Sequence, residues 1–361
     1  MSSGHHISVG SQADCPAGDS RRITLLGSWT GSWRGGVLLV LLCLSVLLPG
    51  LFSLPPFDRD EPRFAQASRQ MWQTGDWIVP RVQDRPRLNK PPLIYWLQAS
   101  SAKVFGAYEE DITTPELAAQ NRKLTRVHDA IWMYRVPGVL CTIASVLLTW
   151  GFGKRLFDSR VAWLGAAMLA VCPLVVIDAH QARADQLLLA TVVATQWAVW
   201  NVLTSQKLSS RWFWRCIVLG ACMGVSILAK GPIAPMIAAL TSVFWIVGKN
   251  GLKFSAWKNV VFPAVFGTFI VSLVAVVIAI PWVLAVARTV GYGNYITVVI
   301  DETVGRAGEA KEGHSLFPGF HLIALVALFF PGSMLAGTGV IDFFRRGWVS
   351  LREVDGPGPL W

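Results

Sequence analysis

The sequence predicts an all-α polytopic membrane protein, a helical bundle with interfacial helices in its first long extramembrane loop. Three observations carry this. Of 361 residues, 53% are hydrophobic and only 15% charged, with 17 Trp, an apolar excess beyond what a soluble core of this size needs. The apolar residues fall in continuous runs of the length a bilayer requires, about 20 residues for a core roughly 30 Å thick. The basic residues fall between those runs. Continuous rather than alternating runs exclude a β-barrel.

Eight runs are found, near 37–54, 136–153, 161–178, 186–204, 212–229, 232–248, 260–286 and 317–342. Residues 1–36 are rich in Ser, Gly and His without apolar periodicity, and are expected to be a disordered cytosolic amino terminus. The run from Val37 follows basic residues as a signal peptide would, but Ser53-Leu54-Pro55-Pro56 has no small-x-small cleavage site, which predicts a retained anchor. Residues 37–342 read as one transmembrane domain, interrupted by long outside segments at 55–135 and 287–316. Residues 343–361 read as a cytosolic end.

The formal net charge of +10 sits in loops, which argues for membrane topology rather than nucleic acid. With the amino terminus in the cytosol, each cytosolic segment is basic: Arg21, Arg22 and Arg34; Lys154, Arg155 and Arg160; Lys207, Arg211 and Arg215; Lys249, Lys253 and Lys258; Arg345, Arg346 and Arg352. The short outside loops hold fewer, with Arg183 in one and Lys230 in another, so one orientation suits the whole chain. Cys15, Cys43, Cys141, Cys172, Cys216 and Cys222 show no metal-ligand spacing, and most behave as small apolar residues.

Within the first outside segment, Asp60-Glu61-Pro62 suits a helix start. Phe64, Ala67, Met71 and Trp72 then recur at helical spacing, predicting an amphipathic helix lying on the membrane and ended by Gly75-Asp76. Lys90-Pro91-Pro92 opens a second helix running to Phe105-Gly106, and residues 107–130 read as a solvent-exposed insertion.

Each residue that could carry chemistry also has a plainer explanation. Asp60 and Glu61 follow the first span, where a carboxylate reaches a membrane-embedded substrate without burial in hydrocarbon, yet Asp before Pro is common at helix starts. Lys90 would hold an ammonium at phosphate level, or simply snorkel. Asp185 either caps the fourth span or binds substrate. Lys230 complements a helix carboxyl end before Gly231-Pro232. Glu302 and Arg306 are four apart, as in a simple ion pair, and His314 is a lone loop histidine. All fall on one side of the membrane in the orientation that the loop charges fix.

The stretch Asp58-Arg59-Asp60-Glu61-Pro62-Arg63-Phe64-Ala65, then Met71, Gly75-Asp76-Trp77-Ile78-Val79-Pro80 and Lys90-Pro91-Pro92-Leu93-Ile94-Tyr95-Trp96-Leu97, closely resembles the bacterial aminoarabinose transferases of lipid A. These sit within the wider protein O-mannosyltransferase-like, GT-C type of glycosyltransferase. Further matches follow in order at Ala182-Arg183-Ala184-Asp185, Ala229-Lys230-Gly231-Pro232, Glu302 with Arg306, and His314 with Pro318, so the likeness runs from about residue 37 to 340.

The resemblance implies a multi-span inner-membrane enzyme moving a sugar, aminoarabinose- or mannose-like, from a polyprenyl-phosphate donor to lipid A, another glycolipid or a protein at the outer face. It implies catalytic roles for Asp60, Glu61 and Asp185, with inversion in one displacement. Lys90, Arg81, Arg85, Arg87 and Lys230 would hold the donor phosphate, and Glu302, Arg306 and His314 would contact substrate. Relatives often carry Glu where this chain has Asn89, so a divalent metal there is unsupported and no cofactor is assigned. The pair after the histidine-proline motif reads Phe320-His321, a further departure. Relatives also continue past this point, which leads the sequence to be expected as a fragment. The rival classes are a transporter or flippase of lipid-linked sugars, which would place polar residues near the midplane and show paired halves, and an inactive remnant.

Overall fold

The computed structural model describes residues 29–112, 124–250, 254–302, 324 and 326–342. The first apolar run forms α1, Trp33–Leu47. At 15 residues it is shorter than the span expected over 37–54, because the chain turns at Gly50, whose φ is 84°. Leu39, Cys43 and Leu47, one turn apart, are its fully buried stripe. Two indoles fix its start, Trp150 Nε1 donating to the Thr30 carbonyl at 3.0 Å and Trp163 Nε1 to that of Gly35 at 3.0 Å.

Helix α2, Asp60–Thr74, ends on Gly75 at φ 71° as its sequence predicts. Its apolar face does not need a membrane surface to cover it. Phe64, Ala67, Met71 and Trp72 are buried against α3, Leu93–Val104, and the neighbouring bundle. Phe64 stacks on Tyr95 with ring centroids 5.5 Å apart, and Ser68 Oγ donates to Gln98 Oε1 at 2.8 Å inside that interface. Between the two helices, β1 (Arg81–Val82) pairs with β2 (Arg85–Pro86).

The described residues are mostly helical, as expected, and the few strands lie here and in the insertion. Tyr108–Ile112 and Leu124–His128 form an antiparallel ladder, β3 with β4, in register from Tyr108 opposite His128 to Ile112 opposite Leu124. The Tyr108 and His128 rings stack at 4.5 Å where the ladder begins, a cross-strand pair of the kind that sets register.

Helix α4, Ile131–Leu156, is 26 residues long, roughly 39 Å. The run near 161–178 breaks into α5, Ser159–Ala170, and α6, Pro173–Ala179, bent by 52°. Pro173 at the start of α6 explains the break, since its ring clashes with a continuing helix and it lacks the N–H the ladder needs. Then follow α7 (Asp185–Leu203), α8 (Ser210–Lys230), α9 (Ile233–Asn250) and α10 (Phe254–Val290). Helix α11, Tyr292–Ile300, shows that the segment 287–316 begins as helix. Of the run near 317–342, the described part holds α12, Gly332–Asp342.

Among the described residues, four helices are long and apolar enough to cross a membrane, α4, α7, α8 and residues 261–290 of α10, and the bent pair makes up to five. That is fewer than the eight runs, because the first run is cut short by its turn, α9 is one of the shorter apolar helices, and α12 in the last run has only 11 residues.

Lipid offers no hydrophobic drive between helices, so close approach and interhelical hydrogen bonds hold them. Helices α8 and α10 meet through Gly220 and Gly224, where an added Cβ would lie 2.7 Å from the Val271 carbonyl oxygen and 2.8 Å from Ile278 Cβ. Gln186 ties three helices. Its Oε1 accepts from Thr142 Oγ1 at 2.9 Å, and its Nε2 donates to Val175 O and Asp178 Oδ2, each at 3.1 Å.

Candidate functional site

The site is assembled where α2, α4, α6, α7 and α8 converge. Its foundation is Arg135, fully buried in the second turn of α4. The guanidinium donates to the carbonyls of Leu51, Leu54 and Pro55 at 3.3, 2.8 and 3.3 Å, and grips Glu61 through Nε at 2.6 Å and Nη2 at 3.2 Å. Glu61 also accepts from the Ala182 N–H at 3.1 Å. The Arg135–Glu61 pair thus ties three distant pieces of chain to α4: the turn after α1 and the start of α2 through the guanidinium, and the link before α7 through Glu61.

This corrects the expectation for Glu61. It is 0% exposed with both oxygens engaged, so it is sealed away from any substrate while its neighbour Asp60 is turned outward. The Asp60 side chain keeps 35% of its exposure and lies 3.3 Å from Arg63 Nη1 and 3.9 Å from Arg87 Nη2. Its own N–H donates to Asp58 Oδ1 at 2.9 Å.

Arg87, one of the predicted cations, lies beside Asp60. Its Nε donates to the Tyr95 hydroxyl at 3.0 Å and its guanidinium carbon lies 5.0 Å from the Phe64 ring centre. Burial pushes the Tyr95 hydroxyl up to about 12 although Arg87 opposes that shift, so Tyr95 stays a neutral hydrogen-bonding group at physiological pH. The loop bearing Arg87 is anchored by two more indoles, Trp96 Nε1 donating to Trp77 O at 2.7 Å and Trp282 Nε1 to Ile78 O at 2.9 Å.

A second array adjoins the first. Arg183 Nη1 is 2.7 Å from Asp58 Oδ2 and 3.8 Å from Asp178 Oδ1, and its Nε is 3.3 Å from Asp185 Oδ2. Asp185 is in turn ion-paired with Lys230. Because α7 starts at Asp185 and α8 ends at Lys230, antiparallel packing delivers acid and base to the same end of the bundle. Four carboxylates, Asp58, Asp60, Asp178 and Asp185, thereby alternate with Arg63, Arg87, Arg183 and Lys230.

The remaining predicted residues divide. Arg81 lies in the small ladder, 3.7 Å from Asp76, and Arg85, opposite Val82, is exposed. Neither has an ion pair with Asp60 in the structure, whereas Arg87 does; the hairpin packs against the later turns of α2, where Gln70 Nε2 donates to the Gln83 carbonyl at 3.1 Å. Lys90 is half-buried in the connector before Pro91. Glu302 follows α11 and is half-buried, while Arg306 and His314 lie outside the described residues.

Sequence reasoning passed over Arg135 and Asp178 as site residues. Both carry a signal that could have found them, a charge inside or at the edge of an apolar run, where an unpaired ion would be costly.

The protein family described as dolichyl-phosphate-mannose-protein mannosyltransferase matches residues 122–285. An undecaprenyl phosphate-alpha-4-amino-4-deoxy-L-arabinose arabinosyl transferase of Edwardsiella ictaluri is 28% identical over 333 residues, covering 88% of this chain and 53% of the relative. One from Enterobacter sp. is 27% identical over 253 residues, 70% of this chain and 40% of the relative. The chain spans about half the length of the curated relatives it matches. Among solved structures, ArnT from Cupriavidus metallidurans bound to undecaprenyl phosphate aligns with a TM-score of 0.65 at 20% identity, over 86% of this chain and 51% of that one. The S. cerevisiae protein O-mannosyltransferase Pmt1-Pmt2 complex bound to the sugar donor aligns at 0.51 and 14% identity, over 73% of this chain and 35% of that one. The spans, the converging loops and these likenesses agree on a multi-pass membrane protein of the GT-C fold, similar to the aminoarabinose transferases and the protein O-mannosyltransferases.

Proposed function

We propose that the chain is a glycosyltransferase, or the site-bearing part of one, that moves a sugar from a polyprenyl-phosphate donor to an acceptor on a glycolipid, lipid A among them, or on a protein. The observation that carries this is Asp60: an outward carboxylate at the head of α2, held between Arg63 and Arg87 at 3.3 and 3.9 Å on a base made rigid by Arg135 and Glu61.

In the step proposed, the acceptor hydroxyl oxygen bonds to the anomeric carbon as the bond from that carbon to the phosphate oxygen breaks. The electron pair leaves on the polyprenyl phosphate. Asp60 takes the hydroxyl proton, as a positioned general base does, and inversion follows from the single displacement. With a phosphate acceptor, already anionic, Asp60 orients rather than deprotonates. Arg87, with Lys90 nearby in sequence, stabilises the charge growing on the departing phosphate. Asp185 and Lys230, paired with each other, are assigned to holding the sugar or its acceptor, together with Glu302, Arg306 and His314.

The side of the membrane is also a proposal: the basic ends of α4, α7, α8 and α9 in the cytosol, and the Asp60 array outside, at the plasma membrane. Membranes carrying the chain, incubated with labelled polyprenyl-phosphate sugars, should yield a labelled glycolipid or protein, and Asp60→Asn should remove that label while insertion is unchanged. Undiminished labelling in the variant would refute the role given to Asp60.

A further inference from the structure

A second cavity lies far from the acid-base array. It opens between α7, α8, α9 and α10 beside the end of α4, lined from residues 200–207, from Trp212, Arg215 and Leu219, and from parts of 235–249 and 263–272, with a volume of about 1040 Å³, at the top of the range of roughly 300–1,000 Å³ usual for small-molecule sites. Helix α7 starts at Asp185 and α8 ends at Lys230, whereas the cavity meets the other ends of both. A full helix, roughly 28 Å, separates the two.

The cavity has two chemistries. Met223, Ala238 and Val271 belong to an apolar shaft between the helices, while Arg155, Lys207, Arg215 and Lys249 gather where those helices end. Among the described residues that line it there is no Asp or Glu. Arg155, Lys207 and Lys249 are exposed, and Arg215 uses Nη1 on Asn201 O at 3.0 Å and on Ser205. Burial, and then the nearby charge of Lys249, lower the pKa of Lys207, so two ammonium groups are held close together.

A general bias of basic residues toward one membrane face would scatter such charges over the loop surface. Arg211 and Lys154 are of that kind: both lie at the same end and neither lines the cavity. The other four converge on one mouth above an apolar shaft, the layout that fits a lipid with an anionic head and a hydrocarbon tail.

We propose that this cavity binds an anionic phospholipid of the leaflet opposite the Asp60 array, its phosphate among Arg155, Lys207, Arg215 and Lys249 and an acyl chain between α8, α9 and α10. The site is independent of the reaction assigned above. Its occupant is a resident lipid rather than a substrate.

Native mass spectrometry of the full chain in non-ionic detergent, with phosphatidylglycerol or phosphatidylcholine added, tests it. Phosphatidylglycerol should be retained in preference to phosphatidylcholine, and the Lys207→Gln/Lys249→Gln variant should retain roughly 10- to 30-fold less of it. The Arg211→Gln/Lys154→Gln variant should match the unaltered chain. Ser242→Trp, which keeps the four cations but fills the shaft, should also lose the lipid, and glycerol phosphate alone should not compete. Thermal unfolding of each variant confirms that it is folded. Equal retention of the two lipids, equal loss in the Arg211/Lys154 control, retention by Ser242→Trp, or absence of any bound lipid because another part of the chain fills the space would each overturn the proposal.

Discussion

Arg135 and Glu61, 74 positions apart in the chain, form a completely buried ion pair with an Nε to Oε1 distance of 2.6 Å. The pair is what turns Asp60 outward. Consecutive helical residues point about 100° apart, so fixing Glu61 inward against α4 directs its neighbour toward the surface.

Removing one partner of that pair should cost far more than removing both. Arg135→Met leaves an uncompensated carboxylate in a dry site and should destabilise the chain by about 3–5 kcal/mol. Arg135→Met combined with Glu61→Gln should be less damaging than the single change. Thermal unfolding in detergent measures both, and an additive result would show that the two side chains are not coupled. Arg135→Lys should not restore stability, because an ammonium cannot grip both oxygens and the carbonyls of residues 51–55 at once.

Asp60→Asn should separate activity from stability. The side chain is 35% exposed, so the fold should change by less than about 0.5 kcal/mol, while loss of a positioned base should lower transfer by roughly 10²- to 10⁴-fold. Parallel unfolding and label-transfer measurements check the two halves.

Arg87→Lys keeps the charge but gives up the stack on Phe64 and the planar hydrogen bond to Tyr95. Donor use should weaken, seen as a higher KM for the polyprenyl-phosphate sugar. Arg85→Lys, at an exposed position in the hairpin, should leave KM within about twofold, an effect under roughly 0.5 kcal/mol.

Gly220→Ala should loosen the bundle. The new Cβ would stand 2.7 Å from a backbone carbonyl oxygen of α10, which cannot rotate away as a side chain could, so α8 and α10 must separate at a cost of about 1–3 kcal/mol. Gly165→Ala, where nothing lies within 4 Å, is the control, and unfolding temperatures in detergent should distinguish the two.

Topology follows from the loop charges. Cysteine at position 207 should be shielded from a membrane-impermeant thiol reagent added outside intact cells, and cysteine at position 84, exposed in the hairpin on the Asp60 side, should be labelled by it. Labelling of both from one side would refute the orientation proposed.

Most helices, and several of their ends, were legible in the sequence. Apolar runs, Gly75 at the close of α2, Pro91-Pro92 before α3 and Pro173 at the bend all act through local sterics and hydropathy, which need only neighbours along the chain. The sequence also marked Asp60, through the composition of one short stretch. Tertiary structure alone decided that Glu61 faces inward, that Arg87 and not Arg85 meets Asp60, and that Asp58, Asp178 and Asp185 share Arg183. Those outcomes depend on contacts between residues up to 125 positions apart, and a charge in lipid takes whatever partner the packed helices bring within reach, which no local pattern can specify.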